Sequence, residues 1–322
     1  MPDPHKRANR HPNYKTAYRV NNWCEYDQAL RNRGDITLWL SQDTTAAWMA
    51  PKTGKRGAQP LYSDIAIETA LTFRLLFRLP LRQTEGFLYS ILTLMGLSLP
   101  CPDHTTLSRR NPTVEIRQQV ECAPQGPIAL IVDSSGLKVY GQGEWHAQKH
   151  GEKKHKRWKK LHIGVEAQGQ IVASTVTESH EQDPSQVPEL LSQIERDIER
   201  FIGDGMYDKD PVYATVEQHS PGARVIIPPC KDAVLGPTGT TSPTPRDQHL
   251  VEIERAGRLK WKQTSGYYAQ SRAENAFSRF KRTFGGGLRA KRDVSQEREA
   301  SLACALLNRM LELGRPQSYP VS

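Results

Sequence analysis

Long apolar runs are missing from this 322-residue chain. Nowhere do about 18 apolar residues follow one another, so no membrane-spanning helix is expected. The first fifteen residues are polar and basic and lack the apolar stretch of a secretory signal. Cysteine is scarce. The five (Cys24, Cys101, Cys122, Cys230 and Cys304) are scattered, odd in number and never paired as C-x-x-C. Neither a disulfide framework nor a cysteine zinc site is indicated, and a reducing cytoplasm fits. No internal repeat is evident.

What the chain does have is positive charge. Lys and Arg total 44 against 35 Asp and Glu, a formal net charge of +9. Such a balance suits a polyanionic partner such as nucleic acid, although alone it argues only for nonspecific attraction. The length allows a sizeable core and two modules.

From about Asn21 to Gln119 the pattern is helical. Asn22 stands as a cap before Trp23, Tyr26 and Leu30. Ser63 stands before an apolar run that includes Ile67, Ala70, Leu71, Phe73 and Leu75. Pro80 interrupts that run, and a second helix is expected from Leu81 to Leu94, closed by Gly96. After a turn with two prolines, Asp103 sits where an N-cap would, ahead of a short helix carrying Arg109 and Arg110. This helix, turn and short polar helix (81–111) read as a helix-turn-helix that meets DNA, or as an ordinary helical hairpin with a solvated second helix.

At Pro127 the texture changes. Ile128–Val132 is a β-branched apolar run and reads as a buried strand ending at Asp133. Further strands are expected at 161–165, 170–176, 201–202 and 224–227, with a helix at 188–195. Residues 231–248, rich in Pro, Thr and Gly, read as a loop, and 275–284 and 297–313 as helices. Strands followed by strands mixed with helices indicate an α/β layer fold.

Asp133 and Asp204 each follow an apolar strand and would project into the crevice outside the sheet, where open α/β folds bind ligands. Two acids that close repel unless a cation lies between them. Mg²⁺ takes hard oxygen ligands and keeps waters and phosphate oxygens, and a pair of such ions suits phosphoryl transfer. Glu274 and Lys281 lie seven residues apart on one predicted helix and therefore near one azimuth, a carboxylate and a cation on the same face. The alternative is a surface helix with a weak charge pair.

Three segments, Asp133-Ser-Ser-Gly-Leu-Lys138, Asp204-Gly-Met-Tyr-Asp208 and Tyr267-x-x-Gln270-x-x-x-Glu274-x6-Lys281, resemble the signature blocks of DDE transposases of bacterial insertion sequences. The nearest resemblance is to the group named after insertion sequence five, and Val139–Gly164 shares it. The likeness runs from about Trp23 to Met310. It implies a ribonuclease H-like mixed sheet flanked by helices, preceded by an all-helical DNA-binding region. The organisation expected is a basic flexible start (1–20), a helical DNA-binding part (21–125), a catalytic domain (126–315) and a tail (316–322).

The resemblance also implies that Asp133, Asp204 and Glu274 hold two Mg²⁺ or Mn²⁺ ions, with Tyr267 and Lys281 assisting DNA binding. The family pattern prefers Arg where this chain has Gln270, and Arg272 is two residues away. Such an enzyme cuts at the inverted-repeat ends of its own element and joins them to target DNA. It would work in the cytoplasm at the nucleoid, as a homodimer when DNA-bound. A simple nuclease of the same fold, or a decayed relative that only binds DNA, are the rivals.

Basic residues elsewhere are candidate DNA contacts (Lys138, Lys149, Lys153, Lys154, Lys156, Arg157, Lys159, Lys160, Arg272 and Arg282), and Trp158 among them either stacks on a base or anchors between strands. Residues 149–160 hold seven Lys or Arg with one acid, which suits a phosphate backbone or simply a solvated face. Asp208 is placed either to support Asp204 or to cap the next helix. Ser179-His180-Glu181 with Asp183 has no matching partner set and is set aside. Ser134 and Ser135 lack a nucleophile elbow and a convincing histidine.

Overall fold

Caps and prolines set where the helices begin. In the computed structural model, which describes residues 18–52, 54, 56–57, 59–114, 116, 126–139, 158–236, 239 and 241–320, helices follow at α1 (Trp23–Asn32), α2 (Gln42–Ala46), α3 (Asp64–Leu76), α4 (Leu81–Leu94) and α5 (His104–Arg110). Ser63 accepts from Ala66 N, and Asp103 from Thr105 N and Thr106 N, so both act as N-caps. Gly96, at φ +68°, ends α4 with the Leu97 N–H bonded to the Leu92 carbonyl. Asn22 departs from its expected part. It precedes α1 without capping it and instead bonds Arg315 O and Gln317 N.

The chain divides into two units, Met1–Trp39 with Arg309–Ser322, and Leu40–Asn308. In the first, β1 (Tyr18–Val20) pairs antiparallel with β8 (Ser318–Pro320). Parts of the expected flexible start and tail are therefore strands. Arg309 stacks over Trp39, and Arg33 donates to the Gly314 carbonyl.

The second unit holds both the helical segment α2–α5 and a six-stranded sheet. Its strands are β2 (Ile128–Val139), β3 (Trp158–Glu166), β4 (Ile171–Glu178), β5 (Ile198–Ile202), β6 (Arg224–Ile226) and β7 (Gly287–Leu288). The order is β4-β3-β2-β5-β6, with β2, β3 and β4 antiparallel, β5 and β6 parallel to β2, and β7 beside the end of β2. This mixed sheet flanked by helices is consistent with the ribonuclease H-like arrangement. One face buries Ile128, Leu130 and Val132 against α6 (Val187–Ser192) and α7 (Asp210–His219). Gly164 lies in this core so close to Leu130 that a Cβ would stand 2.9 Å from its Cδ1.

Two expectations are corrected. Residues 231–248 are not all loop: Thr244 forms a capping box with Asp247 and starts α8 (Pro245–Ala256), which leads to α9 (Arg258–Ser265). Strand β2 does not end at Asp133 but runs six residues further, because β3 pairs with it as far as Lys138. The last helices are α10 (Ser271–Phe284) and α11 (Asp293–Glu312). α10 buries Ala273, Ala276, Phe277, Phe280 and Phe284, and it packs on β2 and β3.

Candidate active site

Asp133 lies inside β2, and what makes its position special is its other neighbour. β5 pairs with β2 only as far as Ile202 opposite Ile131, while Gly203 N still bonds the Ile226 carbonyl of β6. Two residues on come Asp133 within β2 and Asp204 in the turn after β5, near enough that the Asp204 charge acts on Asp133. Asp204 caps the short turn Gly205–Tyr207, accepting from Met206 N at 2.9 Å. Gly205 is needed for a close approach: a Cβ would meet the Pro228 carbonyl at 3.2 Å. Asp208, buried at the end of the turn, does not cap α7. It accepts from Arg246 Nε at 2.9 Å, the Tyr213 hydroxyl at 3.2 Å and Cys230 N at 3.3 Å, tying the turn to α8.

Glu274 comes from the first turn of α10 and is exposed. Lys281, two turns on, reaches β2 and donates to Ser135 Oγ at 2.6 Å, so this helix face does meet the strand that carries Asp133. Gln270, at the start of the same segment, is buried, and its Nε2 donates to the Val132 carbonyl at 3.0 Å. That amide joins the segment to β2 one residue before Asp133. The position serves as internal support, where the sequence showed only a departure from the family's Arg.

Tyr267 is held by a buried relay. His249 bonds the Val225 carbonyl through Nε2 at 2.7 Å, Trp261 Nε1 donates to His249 Nδ1 at 3.2 Å, and the Tyr267 ring lies tilted against Trp261 at 5.9 Å. Those two bonds assign the proton to His249 Nε2. Helices α8 and α9, which the sequence did not reveal, thus place Tyr267.

Electrostatics join these groups. Burial first, and then the charges of Asp204, Glu274 and Asp183, push the Asp133 carboxyl from 3.8 up to about 6, against the opposing bond from Ser134 N. Burial, with Asp183 adding to it, also raises Asp204. The Tyr267 hydroxyl is raised by burial and by the charges of Asp204, Glu274 and Asp133. Perturbed groups converging on one crevice mark a functional-site candidate. Among the described residues, no three His, Cys, Asp or Glu side chains gather closely enough to share one ion as they stand. What fits a divalent metal is the chemistry of the donors: hard carboxylate oxygens, partly buried and mutually repelling.

The basic candidates separate. Lys149, Lys153, Lys154, Lys156 and Arg157 lie outside the described residues. Lys159 points inward, as strand alternation requires when Lys160 faces the other way. It is buried and pairs with Glu178 at 2.5 Å and Asp293 at 3.1 Å; burial opposes its charge, but those bonds outweigh it and raise its pKa. It is not a surface contact for DNA. Lys160 donates to Glu181 O and Asp183. Lys138 is exposed, with its ammonium 5.6 Å from the Trp158 ring centre, and Arg272 and Arg282 are exposed on α10.

In the expected helix-turn-helix, α4 and α5 are joined by residues 95–103, against the 3–4 residues usual in that motif. Arg110 bonds the Tyr62 carbonyl and Asp64, while Thr105, Ser108 and Arg109 stay exposed. Asp183, without a role in the sequence pattern, opens a turn that packs on the one following Asp204. No local motif marks it.

Two family models match the chain, and both are described as a transposase DDE domain. One covers residues 31–142, the helical segment through Asp133. The other covers residues 124–309, more than half of the chain, and takes in Asp133, Asp204 and Glu274 together.

Proposed function

Starting from a chain that belongs to the DDE transposases, we propose that Asp133, Asp204 and Glu274 form its metal-binding catalytic triad. We read its reaction as cutting the inverted-repeat ends of its own element and joining them to target DNA. The observation that carries this reading is the end of β2–β5 pairing at Ile131 and Ile202, two residues before Asp133 and Asp204, with the Asp204 charge acting on Asp133. The coupling of Asp133 to Glu274 supports adding the third acid.

Mg²⁺ or Mn²⁺, a pair per site, would be held by the three carboxylates and would supply Lewis acidity at the phosphate and charge neutralisation in the transition state. The protein's part is placement. Lys281, anchored by Ser135 on one side of the crevice, offers an ammonium to a phosphate oxygen. Tyr267, fixed by Trp261 and His249, offers its hydroxyl beside the same acids. Gln270 keeps α10 in register with β2, so the third acid stays near the first. Exposed Lys138, Arg272 and Arg282, with Arg109 on α5, serve as backbone contacts to DNA.

In the first step a water oxygen attacks the phosphorus at the element end, and the bond to the 3′ oxygen breaks. In the second, that freed 3′-OH attacks a target phosphodiester in line and displaces the target's own 3′ oxygen. No covalent bond to protein is needed. Two ends must be held together, so the working form is a homodimer on DNA.

The test is an assay with end-bearing DNA, target DNA and Mg²⁺. Cut ends and joined products support the proposal. Cutting without joining favours a nuclease, and binding without cutting favours a DNA-binding relative that has lost catalysis.

A further inference from the structure

Asp183 opens the turn Asp183–Gln186, which packs against the turn that follows Asp204. Its side chain is 14% exposed. Its Oδ1 accepts from Lys160 Nζ at 2.9 Å, and the same ammonium donates to Glu181 O at 2.8 Å, so the segment is stapled to β3. The packing of its turn on Gly205–Tyr207 sets Asp183 beside the segment that follows Asp204, and its charge helps to raise the pKa of Asp133, Asp204 and Tyr207.

Two polar atoms beside it have no hydrogen-bond partner among the described residues: His162 Nδ1 and the Tyr207 hydroxyl. Both residues are essentially fully buried, at 0% and 1% exposure. His162 Nδ1 lies 3.8 Å from Asp183 Oδ1, too long for a hydrogen bond, while its Nε2 is engaged with Thr177 Oγ1 at 2.8 Å. Burial pulls this imidazole down to about 4, so it is neutral and its Nδ1 is open to one hydrogen bond. A buried polar atom without a partner costs about 1–3 kcal/mol, and such atoms in native folds call for a ligand, an ion or a water.

We propose that Asp183, with His162 Nδ1 and the Tyr207 hydroxyl, is a positioning group that takes and gives hydrogen bonds to the water shell of a divalent cation at Asp133 and Asp204. This rests on the triad reading above. Mg²⁺ and Mn²⁺ sites on few carboxylates retain several waters, and outer partners orient what the first ligands hold. Lys160 balances the Asp183 charge, so a further carboxylate is tolerated beside Asp133 and Asp204.

The test is Mn²⁺ binding to the intact metal-free protein, read from the electron paramagnetic resonance signal of free Mn²⁺, with melting temperatures recorded in EDTA. Asp183→Asn keeps an oxygen for Lys160 and removes the charge. It should weaken Mn²⁺ binding about tenfold or more, the range known for outer partners, with an unchanged melting temperature. Asp183→Glu should recover part of the affinity. Tyr207→Phe, which alters no charge, should lose several-fold as well.

Wild-type affinity in Asp183→Asn overturns the inference, as does a loss there with none in Tyr207→Phe, which would mean a plain charge effect. Asp204→Asn serves as the reference. If it loses Mn²⁺ while Asp183→Asn does not, only this inference fails. If the wild type binds no Mn²⁺, or Asp204→Asn binds it normally, the triad reading fails and takes this one with it.

Discussion

Replacing Asp133 by Asn should stabilise the metal-free protein at neutral pH while destroying its chemistry. The folded-state carboxyl titrates at about 6 rather than 3.8, chiefly through burial. A raised carboxyl pKa means that the folded chain holds the proton more tightly than the unfolded chain between those values. Stability from this group is therefore greatest below about pH 4 and falls as pH rises through 6. About two pKa units correspond to roughly 3 kcal/mol at most, and solvent screening of this partly exposed group reduces that to about 1–2 kcal/mol.

Asparagine removes the charge, and its carbonyl can still accept from Ser134 N, the bond Asp133 makes at 2.8 Å. In EDTA at pH 7.5 the variant should melt about 2–5 °C above the wild type, and at pH 4 the two should coincide. Added Mg²⁺ should then raise the wild-type midpoint by mass action and leave the variant nearly unmoved. Calorimetry at the two pH values, with and without Mg²⁺, reads all of this. A variant that melts at or below the wild type at pH 7.5 in EDTA would refute the picture of an uncompensated charge at this position.

Three further outcomes follow. Gly164→Ala forces a methyl within 2.9 Å of Leu130 Cδ1 between two paired strands and should cost about 1–3 kcal/mol, seen as a lower denaturation midpoint. Gln270→Ala strips the buried Val132 carbonyl of its donor and should cost about 1–3 kcal/mol; end cleavage should fall further than end binding. Lys281→Ala should weaken DNA binding similarly across sequences and lower the log–log salt slope by about one, measured by titration at several salt concentrations.

The acids were legible because each sits in a short segment whose neighbours carry the resemblance, and because strand ends and helix azimuths are local properties. Their setting was not. The extension of β2 past Asp133 depends on pairing with β3, from Ser134 opposite His162 to Lys138 opposite Trp158, partners 20 to 28 residues away in sequence. Asp183 follows a strand and opens a turn, as many aspartates do; only the packing of that turn against the one after Asp204 gives it a place. Lys159 and Lys160 stand side by side in a basic run, and strand period 2 was enough to divide them, had 158–160 been read as strand. Gln270 looked like a defect from its residue type, and its burial beneath β2 recasts it as a support. The helices α8 and α9 were hidden in a stretch where Pro, Thr and Gly outweighed periodicity, although Thr244 and Asp247 have the spacing of a capping box.

The most direct measurement is end cleavage by Asp204→Asn beside the wild type, on DNA carrying the element's inverted repeat, with Mg²⁺ and with end binding followed in parallel. If Asp204 holds the catalytic metal, the variant gives no cut product while binding ends with wild-type affinity. Cleavage at the wild-type rate by Asp204→Asn would contradict it.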